Sequence, residues 1–316
     1  MTTMPNEKQY EYLVIGGTTK AATTSLFSYL KDHPQICGST IKETRYFLEK
    51  DYPLKSALRY DGRKDEYHTF FNECNGQSLK LEATPDYLYS EKAPLWLSDL
   101  YKGRVKLVFV LREPISRLKS WYNFAIQRGL LDKSVSFSAY VNQMFELDEV
   151  DMPEQYLMAL RQGKYFGYLS RWFEYFDSED ISIVFFEEIS KDPNGILKQL
   201  STKSGIDSDF YDGFEAEVKN KTVKLKNPGI NRIIVKTQFW FERRTHNKLF
   251  FKTLIKGVWR KIKPIYLRLN TSKSALKADL PDVTLTALKK YYSEDIKSIQ
   301  QLEKLPEPWV RMHLDK

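Results

Sequence analysis

Cysteine and histidine are nearly absent from this chain, at two and four of 316 residues. Cys37 and Cys74 stand far apart with no secretory pattern around them, so both are expected as free thiols rather than a disulfide or metal framework. No cluster of His, Cys and carboxylates has ligand spacing, and no metal is expected. No run of about 18 uncharged apolar residues occurs, which excludes a conventional spanning helix from the expectations. The opening, MTTMPNEKQYEY, has neither the positive start nor the apolar stretch of a signal peptide, so the cytosol is the default expectation. Acidic residues are missing from one place in particular. Between Lys219 and Lys277 there are 17 Lys and Arg but a single acid, Glu242; the rest of the chain carries 32 basic and 40 acidic residues. That one segment supplies the whole net charge of +8.

What is present is organised around Tyr12 to Leu30, YLVIGGTTKAATTSLFSYL. Tyr12-Leu13-Val14-Ile15 is a short apolar, β-branched run, the pattern of a buried strand. Gly16 and Gly17 break it, and Leu26, Phe27, Tyr29 and Leu30 suit a helix packed on a sheet. A strand, a small-residue turn and a helix N-terminus bring free backbone N–H groups and a positive helix end together. Thr23, Thr24 and Ser25 add donors and Lys20 adds a cation, so a phosphate or sulfate fits here. Two familiar loops do not: Lys20 is followed by Ala21-Ala22 rather than Ser or Thr, and the third glycine of G-x-G-x-x-G is missing. An ordinary strand-helix turn is the alternative reading of this stretch alone.

The order Lys20, Ala21-Ala22, Thr23-Thr24-Ser25 resembles the 5′-phosphosulfate loop of sulfotransferases that use 3′-phosphoadenosine 5′-phosphosulfate (PAPS), a family that usually has glycine where Ala22 stands. Lys42-Glu43-Thr44-Arg45-Tyr46-Phe47 is similar to the family's K-E-x-x-[FY]-F element, whose glutamate is the general base, and Glu43 falls on that position. A solvated salt-bridge cluster is the plain reading of the same residues. The likeness is to the carbohydrate and small-molecule type of the family, related to the heparan sulfate sulfotransferase domain, although relatives acting on heparan-type chains have His and Asp at the positions of Arg45 and Leu48. Leu79 to Ala83 is a strand candidate, and Thr84-Pro85-Asp86-Tyr87 resembles the family's G-E-x-[ST]-P-x-Y element, which lines the acceptor cleft. By that resemblance Lys42, Arg45, Pro85 and Tyr87 contact the acceptor.

Val105 to Leu111 is the most apolar strand candidate, as a central parallel strand should be. It leads into Arg112-Glu113-Pro114, with Pro114 favouring a helix start. The pattern R-x-P-x-x-R-x-x-S-x-Y resembles the family's 3′-phosphate site, so Arg112 and Ser120 are expected to grip the nucleotide's 3′-phosphate, the arginine through its two-pronged fork. Further on, Leu169, Trp172, Phe173 and Phe176 share a helical face, Ile181 to Phe186 reads as a strand, and Leu285, Leu288, Tyr291, Tyr292, Asp295, Ile296 and Trp309 match the family's closing helix. Residues 51–78 read as surface helix and loop, and the His33-Pro34 pair as a structural helix end.

Together the likeness covers about residues 11–218 and 280–310. It implies a P-loop-like three-layer α/β sandwich with a central parallel sheet and a mostly helical C-terminal region, forming one domain over 1–316 with a basic, partly amphipathic insertion at 219–279. Lys221 or Lys224 stands where the family often has a lysine closing over the nucleotide. Within the insertion, Phe250, Phe251, Leu254, Ile255, Val258, Trp259 and Ile262 recur at helical spacing with cations on the other faces. Residues 250–263 suit either a peripheral membrane contact or a helix packed on the core. No nucleic-acid module accompanies the charge. The implied activity moves a sulfuryl group from PAPS, leaving 3′-phosphoadenosine 5′-phosphate (PAP), to a hydroxyl of a small metabolite, glycan or glycolipid, with Glu43 and Lys20 as catalytic groups and no metal. A P-loop kinase or nucleotide hydrolase, and a non-catalytic polyanion- or membrane-binding protein, are the alternatives. Oligomeric state is not legible.

Overall fold

The computed structural model describes residues 10–56, 58–146, 158–216, 224–225, 271–272 and 281–314. Most of the basic insertion, including Lys221 and the 250–263 stretch, lies outside the described residues. The chain divides into two compact units, one of Met1–Leu118, Met158–Asn220 and Thr286–Lys316, the other of Lys119–Leu157 and Lys221–Leu285.

In chain order the regular elements are β1 (Tyr12–Gly17), α1 (Thr23–Lys31), β2 (Ile36–Gly38), β3 (Leu79–Ala83), α2 (Ala93–Tyr101), β4 (Val105–Leu111), α3 (Pro114–Arg128), α4 (Phe137–Glu146), α5 (Phe166–Phe173), β5 (Ile181–Phe185), α6 (Phe186–Lys191), α7 (Pro193–Lys203), β6 (Lys224–Leu225), β7 (Thr271–Ser272), α8 (Asp282–Leu302) and α9 (Glu307–His313). The first unit is built on a five-stranded sheet in the order β2-β3-β1-β4-β5, every neighbouring pair parallel. Parallel strands buried on both faces need apolar residues at every position. Accordingly β1 and β4 are buried throughout. Leu13, Ile15, Leu79, Leu81, Val108 and Val110 pack on one face with Leu26 and Leu30 of α1 and Leu197 and Leu200 of α7. On the other face Phe109 meets Trp172 of α5 at 5.0 Å between ring centroids, and Tyr12 meets Tyr101 of α2 at 4.7 Å. This is the three-layer sandwich with a central parallel sheet.

β1 lies between β3 and β4: the chain runs from β1 to β2 on one side of it, then from β3 across it to β4 on the other, so the strand order reverses at β1. In open parallel sheets that is where a crevice forms, at the C-terminal ends of the strands. Gly16 and Gly17 end β1 because nothing larger fits: a Cβ on Gly16 would lie 2.7 Å from a ring carbon of Phe109, and one on Gly17 2.8 Å from Cβ of Leu88.

The second unit contains α4, most of α3 and the antiparallel β6–β7 pair, with Lys224 opposite Ser272. Tyr122 of α3 donates from its hydroxyl to the Val135 carbonyl at 2.7 Å and packs on Phe137 and Tyr140 of α4.

Two expectations are corrected. Cys37 and Cys74 are not free thiols: they are bonded, with Cα atoms 5.6 Å apart, tying β2 to the loop after a 3₁₀ turn at Tyr67–Phe71. Residues 51–78, expected as surface helix and loop, contain no α-helix among those described. That turn buries Tyr67, Phe70 and Phe71, with Tyr67 tilted and Phe71 edge-on against Tyr12. His33 is structural, as read: its Nε2 donates to the Asp207 carbonyl at 2.7 Å and its Nδ1 accepts from Gln35 N at 3.1 Å.

The Cys37–Cys74 bond closes a loop 37 residues long, which by chain entropy is expected to stabilise the fold by about 2–4 kcal/mol. Dithiothreitol is therefore expected to lower the thermal midpoint of the wild-type chain, while a Cys37→Ser/Cys74→Ser variant starts low and does not respond. Equal midpoints with and without reductant, in a chain that yields no thiols before reduction, would contradict this.

Candidate active site

The loop after β1 is set by backbone geometry. Thr18 N donates to the Val110 carbonyl at 2.5 Å, docking the loop on the end of β4. Lys20 and Ala22 then take left-handed conformations, at φ 70° and 62°. Such angles are steric outliers for residues with a Cβ and persist only where surroundings over-determine them. Ala22 occupies the N-cap of α1 and offers no side-chain cap, so the first-turn N–H groups have no side-chain acceptor there. Ala21, Thr23 and Ser25 are buried and Thr24 is exposed. An uncapped helix start behind a constrained loop is an anion cradle.

Arg112, one residue beyond β4, reaches this loop. Its Nη1 donates to the Lys20 carbonyl at 2.9 Å, and its guanidinium lies 4.2 Å from the ring centroid of Phe186. Tyr165 donates its hydroxyl to the Arg112 carbonyl at 2.7 Å. Nε of Arg112 is buried with no partner among the described residues. A buried orphan donor beside an anion cradle fits an incoming phosphate oxygen, because leaving such a donor unpaired costs about 1–3 kcal/mol. Glu113 begins α3, accepting from Ile115 N at 2.9 Å and Ser116 N at 2.7 Å. Ser120 stands further along α3, in the second unit. Lys221 lies outside the described residues, and of Lys224 only its strand pairing is described.

The 42–45 stretch runs beside the end of β3, with Ala83 N donating to the Lys42 carbonyl at 2.9 Å. Lys42 Nζ bonds Glu43 Oε1 at 3.0 Å and Arg45 Nη2 bonds Oε2 at 2.8 Å. Burial pushes the Glu43 carboxyl upward, but the two cations outweigh it and hold the group below the ordinary glutamate range. Glu43 is thus both the salt-bridge cluster and an ionised carboxylate able to accept a proton. These residues line a cavity of about 390 Å³ together with Ile41, Thr44, Lys55, Ser56 and Phe70.

Behind them stands Glu82, the glutamate of the G-E-x-[ST]-P-x-Y pattern, to which the sequence reading assigned no role. Glu82 is wholly buried in β3 and accepts from Thr44 N and Oγ1 at 3.3 and 3.0 Å, Thr84 Oγ1 at 2.9 Å and the Tyr67 hydroxyl at 3.1 Å. Burial raises its pKa, against the pull of those donors. The signal for it was that motif glutamate, on the last residue but one of the strand. Pro85 and Tyr87, expected against the acceptor, are both buried. The Tyr87 hydroxyl is engaged by Thr44 Oγ1 at 3.1 Å and accepts from Phe47 N at 3.3 Å, so it braces the 44–47 turn from behind. Arg45, expected to bind acceptor, spends its second terminal nitrogen on the Lys55 carbonyl at 2.9 Å.

The site therefore collects the ends of β1, β3 and β4: an uncapped anion loop, a strand-end arginine on that loop, and an ion-paired glutamate at the neighbouring strand. This defines a P-loop-like α/β protein with an anion site beside an acid-base candidate. The profile of the sulfotransferase domain matches residues 15–267, passing through segments of both units, and the chain belongs to that family. It is 23% identical over 265 residues to human heparan sulfate glucosamine 3-O-sulfotransferase 3B1, covering 78% of this chain and 64% of that protein. It is 32% identical over 157 residues to the membrane-associated sulfotransferase kil1 of Dictyostelium discoideum, covering 48% of this chain and 32% of that one. The chain thus spans less than two thirds of the length of these relatives. A solved sulfotransferase from Alicyclobacillus acidocaldarius superposes with a TM-score of 0.65 at 17% identity, covering 95% of this chain and 98% of that one, which supports the fold.

Ala22→Gly removes the steric penalty of a left-handed Cβ and is expected to stabilise the protein by ~1 kcal/mol, read as a higher thermal midpoint. A lower midpoint would show the loop is not strained there. Because the folded pKa of Glu43 is depressed, its ion pairs contribute stability above its unfolded pKa that is lost as pH falls through the folded value. Turnover requiring the ionised form is accordingly expected to persist down to the ordinary glutamate range, and an acidic limb near neutrality would contradict this.

Proposed function

We propose that the protein transfers a sulfuryl group from PAPS to an acceptor hydroxyl. The observation that carries this reading is the bond from Arg112 to the Lys20 carbonyl, which joins the two anion-binding motifs of the family at one sheet edge. Lys20, the N–H groups of 21–25 and the hydroxyls of Thr23, Thr24 and Ser25 hold the 5′-phosphosulfate; Arg112 and Ser120 hold the 3′-phosphate. The resemblance to the family assigns Lys221 or Lys224 to the nucleotide as well. PAPS supplies an activated sulfuryl group on a phosphate leaving group.

In the in-line reaction the acceptor oxygen forms a bond to sulfur as the sulfur–bridging oxygen bond breaks, giving a sulfate ester and PAP. The acceptor proton passes to Glu43, ionised and at the cavity wall. Lys20 and the loop N–H groups stabilise charge building on the bridging oxygen, the electrostatic logic of phosphoryl transfer. The acceptor sits in the cavity of Lys42, Glu43, Arg45 and Lys55, which carries more positive than negative side chains. An anionic glycan suits that lining, in keeping with relatives named for heparan sulfate glucosamine; a small metabolite or glycolipid bearing an anionic group suits it as well.

Among the described residues no helix is long and apolar enough to cross a membrane. The cytosolic expectation rested on the missing signal-peptide pattern, whereas the Cys37–Cys74 bond favours an oxidising compartment. Peripheral membrane contact through 250–263 agrees with that charge pattern and with a relative named as membrane-associated.

PAP at a hundredfold excess over its Kd is expected to stabilise the chain by ~2.7 kcal/mol, seen as a thermal shift that ATP with Mg²⁺ does not match and that Arg112→Ala removes. A larger shift with ATP and Mg²⁺ would instead support a kinase. Glu43→Gln is expected to keep the PAP shift and lose ~10²–10⁴ in turnover; near-normal turnover would remove Glu43 from the role.

A further inference from the structure

Arg45 stands out by its backbone. At φ 55° it is one of three non-glycine residues in the left-handed region among those described, and the other two, Lys20 and Ala22, belong to the anion loop. A long cationic side chain gains nothing from that conformation, and glycine would adopt it without strain. Several contacts impose it. Arg45 N donates to Thr84 Oγ1 at 3.1 Å, Thr84 Oγ1 donates to Glu82 at 2.9 Å, and Ser56 Oγ donates to the preceding carbonyl, Thr44 O, at 2.9 Å. The buried Glu82 network thus holds the N–H of the Thr44–Arg45 peptide through Thr84, and Ser56 holds its carbonyl.

What the strained backbone achieves is the direction of the guanidinium. Nη2 meets Glu43 Oε2 and Nη1 meets the Lys55 carbonyl, two partners on different parts of the cavity wall. Nε is left buried without a partner among the described residues, so the geometry keeps these two bonds at the expense of a third. Lys42 holds the other carboxylate oxygen, so the plane of the Glu43 carboxylate is fixed at two points. Each oxygen keeps a second lone pair able to take a proton from a hydroxyl. A lysine at position 45 could make one of these bonds but not both in diverging directions.

We infer that Arg45 is a positioning residue: it orients the Glu43 carboxylate and anchors it to the 55–56 stretch of the acceptor cavity, rather than binding the acceptor itself. The consequence for catalysis rests on the reading of Glu43 as base; the pairing does not. The charged groups facing Glu43 are Lys42 and Arg45 on its own segment, with Lys55 across the same cavity and Glu82 behind Thr44, its oxygens taken by hydroxyls and an amide.

The test is a carbon-13 titration of the side-chain carboxyls in the full chain, with and without PAP, the Glu43 signal being the one lost in Glu43→Gln. Arg45→Gln and Arg45→Gly are expected to raise the Glu43 midpoint alike, and Arg45→Lys to raise it less. An unmoved midpoint in Arg45→Gln would overturn the inference, as would a midpoint that moves only in Arg45→Gly, which would make the backbone the cause. Circular dichroism checks folding; if Arg45→Gln does not fold, Arg45→Lys decides, a wild-type midpoint counting against the inference. Absence of a PAP shift in the wild type would defeat the donor reading, and normal turnover in Glu43→Gln the base reading. Neither would alter what the Arg45 variants report.

Discussion

The hydrogen bond from the Arg112 guanidinium to the Lys20 carbonyl holds the site together. A loop that leaves the N-terminus of a helix uncapped, and passes through two left-handed residues carrying a Cβ, has little to stabilise it from within. The arginine supplies the missing restraint from the next strand over. Because β4 is parallel to β1 and pairs with it directly, its C-terminal end arrives beside the loop without further folding. Phe186 against the guanidinium and Tyr165 on the Arg112 carbonyl limit the arginine's own freedom. In that low-dielectric setting one charge-assisted bond is stronger than it would be in water.

On the other side of β1 the same problem is met by a different device. Glu82 is a buried carboxylate, costly to place in an apolar strand unless every lone pair is used. Here hydroxyls of Thr44 and Thr84 and the Thr44 amide bond Oε2, and the Tyr67 hydroxyl bonds Oε1. The result is a rigid support for a surface turn that would otherwise be free to move. The two supports frame β1 and its glycines, which bring the backbone too close to Phe109 and Leu88 for any side chain. A strained loop and a strained turn thus face the same crevice, each held from behind by buried polar groups.

Much of this was legible beforehand. Central parallel strands are mostly apolar, so the strands at 12–15, 105–111 and 181–186 were readable without a partner in view, the last one residue too long, and 79–83 was readable with its Lys80 and Glu82. Arg112 was readable because a cation directly after such a strand can only sit at its end. The Cys37–Cys74 bond was not, because chain separation says nothing of Cα distance. Nor were the buried aromatics of 67–71, whose polar flanks imitate a surface segment while their rings lie under Tyr12. Tyr87 and Arg45 were assigned to the acceptor by resemblance to the family, yet one hydroxyl is consumed inside the protein and one guanidinium is shared between a carboxylate and a carbonyl.

The sequence by itself therefore determined the strand pattern, the small-residue loop and the charged residues near it, since these follow from local spacing and from which side chains tolerate burial. Only the tertiary structure decided which of those residues hold one another. Left-handed angles at Lys20, Ala22 and Arg45, the hydrogen bonds of Glu82 and the tether from Arg112 all depend on atoms brought together from separate strands, and their energies exist only once the sheet has formed.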